Sequence, residues 1–179
     1  MSQVNATNSL SQIMADIDLG PTGSVQFMFA KLQLAQSQIC KNEAESYMKQ
    51  IETIQEEQTK TAEMIELARK LQNDAKNGTG DCSWDKNASV MPDEMVKFFN
   101  ERGLSFETTG GEGDYVHNSD EWDYNLKSLT NYQEQIGNKT QTLMIYLQDF
   151  IGQYNSYQEG AMSAISSASQ TLRSIAKGQ

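Results

Sequence analysis

The sequence is poor in the residues that most often carry chemistry. Its 179 residues include one histidine, two cysteines and two prolines. A single histidine, His117, makes a His-based zinc site very improbable and leaves a catalytic triad no spare. Two cysteines, Cys40 and Cys82, cannot make a disulfide framework, and one bridge is the most they allow. Positive charge is scarce too: 14 basic against 24 acidic residues give a net charge of −10. Such a polyanion repels the phosphates of nucleic acids and anionic lipids, so neither is an expected partner. No apolar run approaches the roughly 18 residues that cross a bilayer, and no transmembrane segment is expected. The start, Met1 to Asp18, lacks a basic stretch followed by an apolar core and a small-residue cleavage site, so it does not read as a Sec signal peptide. It is polar and rich in Ser, Asn and Gln, and disorder is expected over residues 1–23. Hydrophobic residues make up 37% of the chain, where a compact single-core enzyme would carry more Val, Ile, Leu and Phe.

What is present is helix. After the breaker Gly20-Pro21-Thr22-Gly23, residues 24–76 contain no Gly or Pro and are dominated by Ala, Gln, Glu, Lys, Met and Leu, which predicts one long helix. Ser24 suits its N-cap, and Asn77-Gly78-Thr79-Gly80 ends it. A stripe through Val25, Phe29, Leu32, Gln36, Cys40, Ala44, Tyr47, Ile51, Ile54, Gln58, Thr61, Ile65 and Ala68 advances by threes and fours. From Ala44 onward the steps alternate as in a heptad seam, and the run of fours before it reads as a stutter. At the helix start Val25, Phe27, Met28, Phe29, Leu32 and Leu34 place apolar side chains on more than one face.

Residues 124–177 predict a second long helix. Leu126, Leu129, Gln133, Ile136, Thr140, Leu143, Leu147, Phe150, Tyr154, Tyr157, Ala161, Ala164, Ala168, Thr171 and Ile175 alternate steps of three and four without a break. Three or four heptads already argue a coiled coil, and this seam runs for about seven. Gly137, Gly152 and Gly160 lie off the seam, where they lower helix propensity but can admit close backbone approach. Beyond Tyr157 the seam shrinks to Ala and Thr flanked by serines. A small-residue surface packs tightly but buries little area, so this segment is a candidate for assembly.

Between the helices, residues 77–123 read as an irregular insertion with a short helix over about 93–102. Pro92 suits its first turn, Asp93 and Glu94 complement its dipole, and Gly103 closes it. The run Thr108 to Asp114 lacks the lysine and the strand-to-helix context of a phosphate loop and reads as an exposed turn. The acidic clusters Asp93/Glu94, Glu112/Asp114 and Asp120/Glu121/Asp123 do not follow the ligand order of a calcium-binding loop, and solvated loop acids are expected. Cys40 reads as a small buried hydrophobe, Cys82 as an exposed loop residue and His117 as a surface residue. No acid, base and nucleophile combine, so no enzyme activity, no metal and no cofactor are expected. The fold class is all-α: a long antiparallel helical hairpin, or coiled coil, with an irregular insertion between its two arms.

Several segments resemble one family. Phe27-Met28-Phe29-Ala30 followed by Ala35-Gln36-Ser37-Gln38 is similar to the first helix of EspA-type subunits. Met91-Pro92-Asp93-Glu94-Met95-Val96-Lys97-Phe98-Phe99-Asn100, leading to Gly103-Leu104, resembles the element between the helices of the EspA/SseB family of type III secretion translocator filaments. The Ser/Ala-rich end, Arg173-Ser174-Ile175-Ala176-Lys177-Gly178-Gln179, is similar to that family's C-terminus. The resemblance covers residues 24–179, while the two cysteines and the acidic 106–123 segment depart from it.

It implies a secreted, virulence-associated subunit that polymerises on the needle into a hollow extracellular filament and conducts translocators and effectors to a host cell. The implied partners are further copies of the chain, a cognate secretion chaperone that holds it in the cytoplasm before export, the needle subunit and the pore-forming translocators. Assembly is expected to use the C-terminal seam (Leu143, Leu147, Phe150, Tyr154, Tyr157, Ala161, Ala164, Ala168) with the N-terminal stripe (Phe29, Leu32, Ile51, Ile54, Ile65). A needle-tip protein and a cytosolic coiled-coil chaperone are the alternative readings.

Overall fold

The computed structural model describes residues 10–18, 24–109, 111 and 114–178. The Gly20 to Gly23 breaker, the first nine residues and part of the 108–114 turn lie outside them. Among the described residues the protein is all-α apart from one small sheet, and the elements run α1 (Leu10–Asp16), α2 (Val25–Lys76), β1 (Ala88–Val90), α3 (Asp93–Arg102), β2 (Val116–Asn118) and α4 (Ser119–Ala176). The two long helices, α2 and α4, pack against each other as a hairpin. The chain divides into two compact units, residues 1–51 with 142–179 and residues 52–141.

Local chemistry sets the helix ends. Phe27 N–H donates to Ser24 Oγ at 3.2 Å, so Ser24 fills one of the orphan donors at the start of α2. At its other end Gly78 takes φ +69°, Gly78 N–H donates to Ala75 O at 3.3 Å and Thr79 N–H to Asp74 O at 2.9 Å. That pair of bonds is a Schellman cap, which needs a left-handed residue. The same device closes α3: Gly103 has φ 64°, Gly103 N–H reaches Asn100 O at 3.2 Å and Leu104 N–H reaches Phe99 O at 2.9 Å.

The larger unit-2 core lies where α3 and the sheet meet α2 and α4. Ile65, Leu71, Met91, Met95, Phe98, Phe99, Trp122 and Leu129 are buried together. Full burial of each such side chain contributes about 1.5–3 kcal/mol, so this unit has a core of ordinary globular kind. Strands β1 and β2 are antiparallel, with Ser89 opposite His117. Ser89, fully buried, donates from Oγ to Leu71 O at 2.8 Å and ties the sheet to α2.

Five expectations need correction. The lead is not wholly without structure: Leu10–Asp16 is helical and buries Ile13, because Ile13 and Ile17 share a groove with Leu34 on α2. The insertion holds a two-stranded sheet in addition to its helix. Helix α4 begins at Ser119, five residues before the expected 124, because Asn118-Ser119-Asp120-Glu121 forms a capping box. Asp120 N–H and Glu121 N–H donate to Asn118 Oδ1 at 2.9 and 3.0 Å, and Asn118 N–H donates back to a Glu121 carboxylate oxygen at 2.8 Å.

His117 is not a surface residue: its ring is fully buried, edge-on to Trp122 with centroids 5.2 Å apart. The inward residue of β2 is therefore the histidine, covered by the first turn of α4. Cys82 is likewise buried, and Trp84 is the exposed one. The 80–88 loop folds back on itself, Gly80 N–H donating to Lys86 O at 2.9 Å and Val90 N–H to Asp81 Oδ1 at 2.8 Å, which turns Cys82 inward. Both cysteines are free thiols.

Candidate assembly surface

In unit 1 the first half of α2 lies antiparallel to the second half of α4. Gly160 faces Gln33, Gln158 Nε2 donates to Ser37 Oγ at 2.9 Å, Cys40 Sγ donates to Gln153 Oε1 at 3.8 Å and Tyr47 stacks on Phe150 with centroids 5.6 Å apart. As one number rises the other falls, which is the antiparallel order of a hairpin.

The interior of this interface is thin. Its buried apolar residues on the two long helices are Ala30, Ala35, Cys40, Ala44, Ile51, Leu143, Ala161 and Ala168. A buried methyl contributes about 0.8 kcal/mol, against about 1.5–3 for a Leu, Ile or Phe side chain, so the alanine steps hold the helices close while adding little. Polar groups fill the gaps: Ser37 is buried and also donates to Leu34 O at 2.8 Å. Burial pushes the Cys40 thiol pKa up, with a smaller push from Glu43, against a backbone hydrogen bond that lowers it. Cys40 is therefore a neutral packing group.

The thirteen expected seam residues divide by position. Ile51, Leu143, Ala161 and Ala168 are buried within unit 1, and Leu32, Leu147, Phe150, Tyr154, Tyr157 and Ala164 are half-buried there. Ile54 is half-buried in unit 2, and Ile65 belongs to its core. Phe29 is exposed, and so is Val25, because the buried line at the start of α2 runs through Ala30 instead. Thr171 and Ile175, the continuation of the α4 seam, are also exposed. With Gly160 already opposite Gln33 and α2 starting at Val25, the last turns of α4 have no α2 residues left to meet.

Most of the seam is thus consumed by the hairpin's own packing, and the outward apolar residues are different ones. Among the described residues fourteen large hydrophobic side chains are exposed, and twelve of them are in unit 1. Within unit 1 the most exposed are Val25, Met162 and Ile175, at 80%, 70% and 70%, followed by Ile145, Met28 and Leu172. Only Trp84 and Tyr124 are in unit 2.

Charge divides the same way. Residues 1–51 and 142–179 carry six acidic and five basic residues, whereas 52–141 carry eighteen and nine, so unit 1 is near neutral and unit 2 holds −9 of the net −10. A near-neutral surface studded with Met, Ile and Val has the composition of an interface, and an acidic one stays solvated. A sequence scan for the α4 seam passes over Ile145, Met162 and Leu172 because they lie off it. A count of apolar residues on the helix faces outside the seam is the signal that finds them. No protein-family model, curated protein or solved structure matches the chain.

Proposed function

We propose that the chain is a structural subunit that self-assembles through unit 1. The observation that carries this reading is the concentration of exposed apolar side chains on the near-neutral unit with the thin interior. A second copy laid on that surface would supply the apolar burial that the alanine seam lacks. The acidic unit 2, with its own core, would then face solvent and keep the assembly soluble.

The segments that resemble the EspA/SseB family give the assembly a role: a secreted type III filament subunit that extends the needle and conducts translocators and effectors to a host cell. In this role a chaperone covers the exposed face of unit 1 in the cytoplasm, and the needle subunit and pore-forming translocators are the partners at the two ends of the filament. The role is mechanical, with no reaction step and no cofactor.

Negative-stain electron microscopy of the purified chain, with size-exclusion chromatography and light scattering, tests the proposal. The expected result is tubes of uniform width whose population grows with protein concentration. A stable monomer or dimer at high concentration would overturn self-assembly, and recovery of that species from the culture medium or only from the cytoplasm would then point to a needle-tip protein or a chaperone.

A further inference from the structure

Three residues far apart in role converge in unit 2. Glu107 lies in the segment after α3, His117 is the middle residue of β2 and Glu121 sits in the first turn of α4. One ligand atom from each, a carboxylate oxygen, an imidazole nitrogen and a second carboxylate oxygen, lie within 4.8 Å of one another.

The histidine sets this cluster apart from ordinary surface acids. Its ring is fully buried, yet neither Nδ1 nor Nε2 has a hydrogen-bond partner. A buried polar ring with two unpartnered nitrogens is uncommon and calls for a ligand or another explanation. Burial lowers the His117 pKa, against smaller upward pushes from Glu121, Asp114 and Glu107, and a neutral imidazole carries a lone pair on one of its two nitrogens.

The two carboxylates are already oriented by bonds of the kind that surround metal ligands. Thr109 donates to Glu107 through both its N–H, at 2.9 Å, and its hydroxyl. Asn118 N–H donates to Glu121 Oε2 at 2.8 Å. A carboxylate oxygen has lone pairs for two partners, so these contacts leave room for a metal. Glu107 N–H also donates to the buried Asn125 Oδ1 at 2.7 Å, which anchors the Glu107 backbone to α4.

We propose that Glu107, His117 and Glu121 form a divalent-metal site, with Zn2+ as its first-choice ion. One imidazole with two carboxylates is a mixed donor set that suits Zn2+ and, second, Mn2+, and it leaves a fourth position for water. Zinc ligands stand about 2.0–2.2 Å from the ion, so side-chain rotations must draw the three atoms together. The ion would clamp the 107 segment, β2 and the start of α4. This structural role is separate from the assembly surface and does not depend on it.

The test is titration of the chelator-treated full-length chain with ZnCl2, followed by calorimetry and by thermal unfolding, with Co2+ absorption to report coordination. Expected are one saturable site per chain, a melting midpoint that rises with Zn2+, and at least tenfold weaker binding in Glu107→Gln and Glu121→Gln. Glu121→Gln keeps an oxygen to accept from Asn118 N–H, and circular dichroism of both variants without metal should match the parent. His117→Gln should remove the Co2+ signature of a nitrogen ligand. Absence of binding at millimolar Zn2+, or binding that survives both glutamate variants unchanged, would overturn the site.

Discussion

Arg102, the last residue of α3, grips Glu57 on α2 with two guanidinium nitrogens, one on each carboxylate oxygen, the Nη2 to Oε2 distance being 2.8 Å. Tyr132 on α4 donates to Glu57 Oε1 at 3.0 Å, and the guanidinium carbon lies 3.8 Å from the centre of the Phe98 ring. Three helices of unit 2 are thereby tied at one carboxylate. The two charged side chains are 16% and 23% exposed, so the pair is worth more than a surface bridge but is not fully desolvated. Arg102→Met should destabilise the protein by about 2 kcal/mol, measured by urea unfolding.

The same pair sets an acid limit. The Arg102 hydrogen bond lowers the Glu57 pKa, helped by Tyr132 and opposed by burial. The native carboxylate thus releases its proton more readily than the unfolded one. Its stabilising contribution is full above the ordinary value near 4.5 and is lost as pH falls through the lowered native pKa. Glu57→Gln should lower stability at pH 7 and flatten the loss between about pH 5 and 3. Parallel acid limbs for parent and variant would remove this pair from the account of acid unfolding.

Two glycines should respond to alanine with opposite signs. A Cβ at Gly80 would overlap the Ala88 carbonyl, a backbone group that cannot step aside. Gly80→Ala should cost about 2 kcal/mol or more, through strain in the loop that carries Cys82. Nothing lies within 4 Å of a Cβ at Gly152 on α4. Gly152→Ala should therefore raise stability by about 0.5–1 kcal/mol through helix propensity alone. Thermal melts of the two variants against the parent decide both.

How much of this was legible in the chain depends on the range of the interaction. Ser24, Gly78 and Gly103 act within a few residues, so the ends of α2 and α3 follow from local pattern. Packing of α2 on α4 follows from the long regular seams, and its antiparallel direction from the 77–123 insertion that joins the two helices in one chain. The capping box at Asn118 to Glu121 was equally local and readable, and it places the start of α4 correctly. By contrast β1 and β2 are three residues each and exist through pairing across a separation of nearly thirty residues. The burial of His117 depends on Trp122 and on that pairing, so the Glu107–His117–Glu121 cluster could not be seen along the chain. At the start of α2 several faces are apolar, which left the choice between Phe29 and Ala30 as the inward line to tertiary packing.

Asn118→Ala checks the α4 start directly. It removes the acceptor for two N–H groups at the first turn, and loss of such a cap costs about 1 kcal/mol. Amide exchange should accelerate over residues 119–122 with little change beyond Leu129. Uniform acceleration along α4 would mean that the first turn is not a separate unit of stability.

The assembly proposal separates two sets of variants. Leu147 and Tyr154 are half-buried between α2 and α4, so Leu147→Asp and Tyr154→Asp place a charge where it is poorly solvated and should destabilise unit 1 by about 2–4 kcal/mol. Assembly would then be lost because the hairpin is. Ile145 and Met162 are 59% and 70% exposed, so Ile145→Glu and Met162→Glu should leave the stability of the free chain within about 0.5 kcal/mol of the parent and its helicity unchanged. In an assembly that covers this face the same glutamates would be buried without a partner, and polymerisation should fail. Light scattering against concentration, read beside the melts, distinguishes the two routes. Normal polymers from the folded Ile145→Glu and Met162→Glu chains would show that subunits meet through another surface.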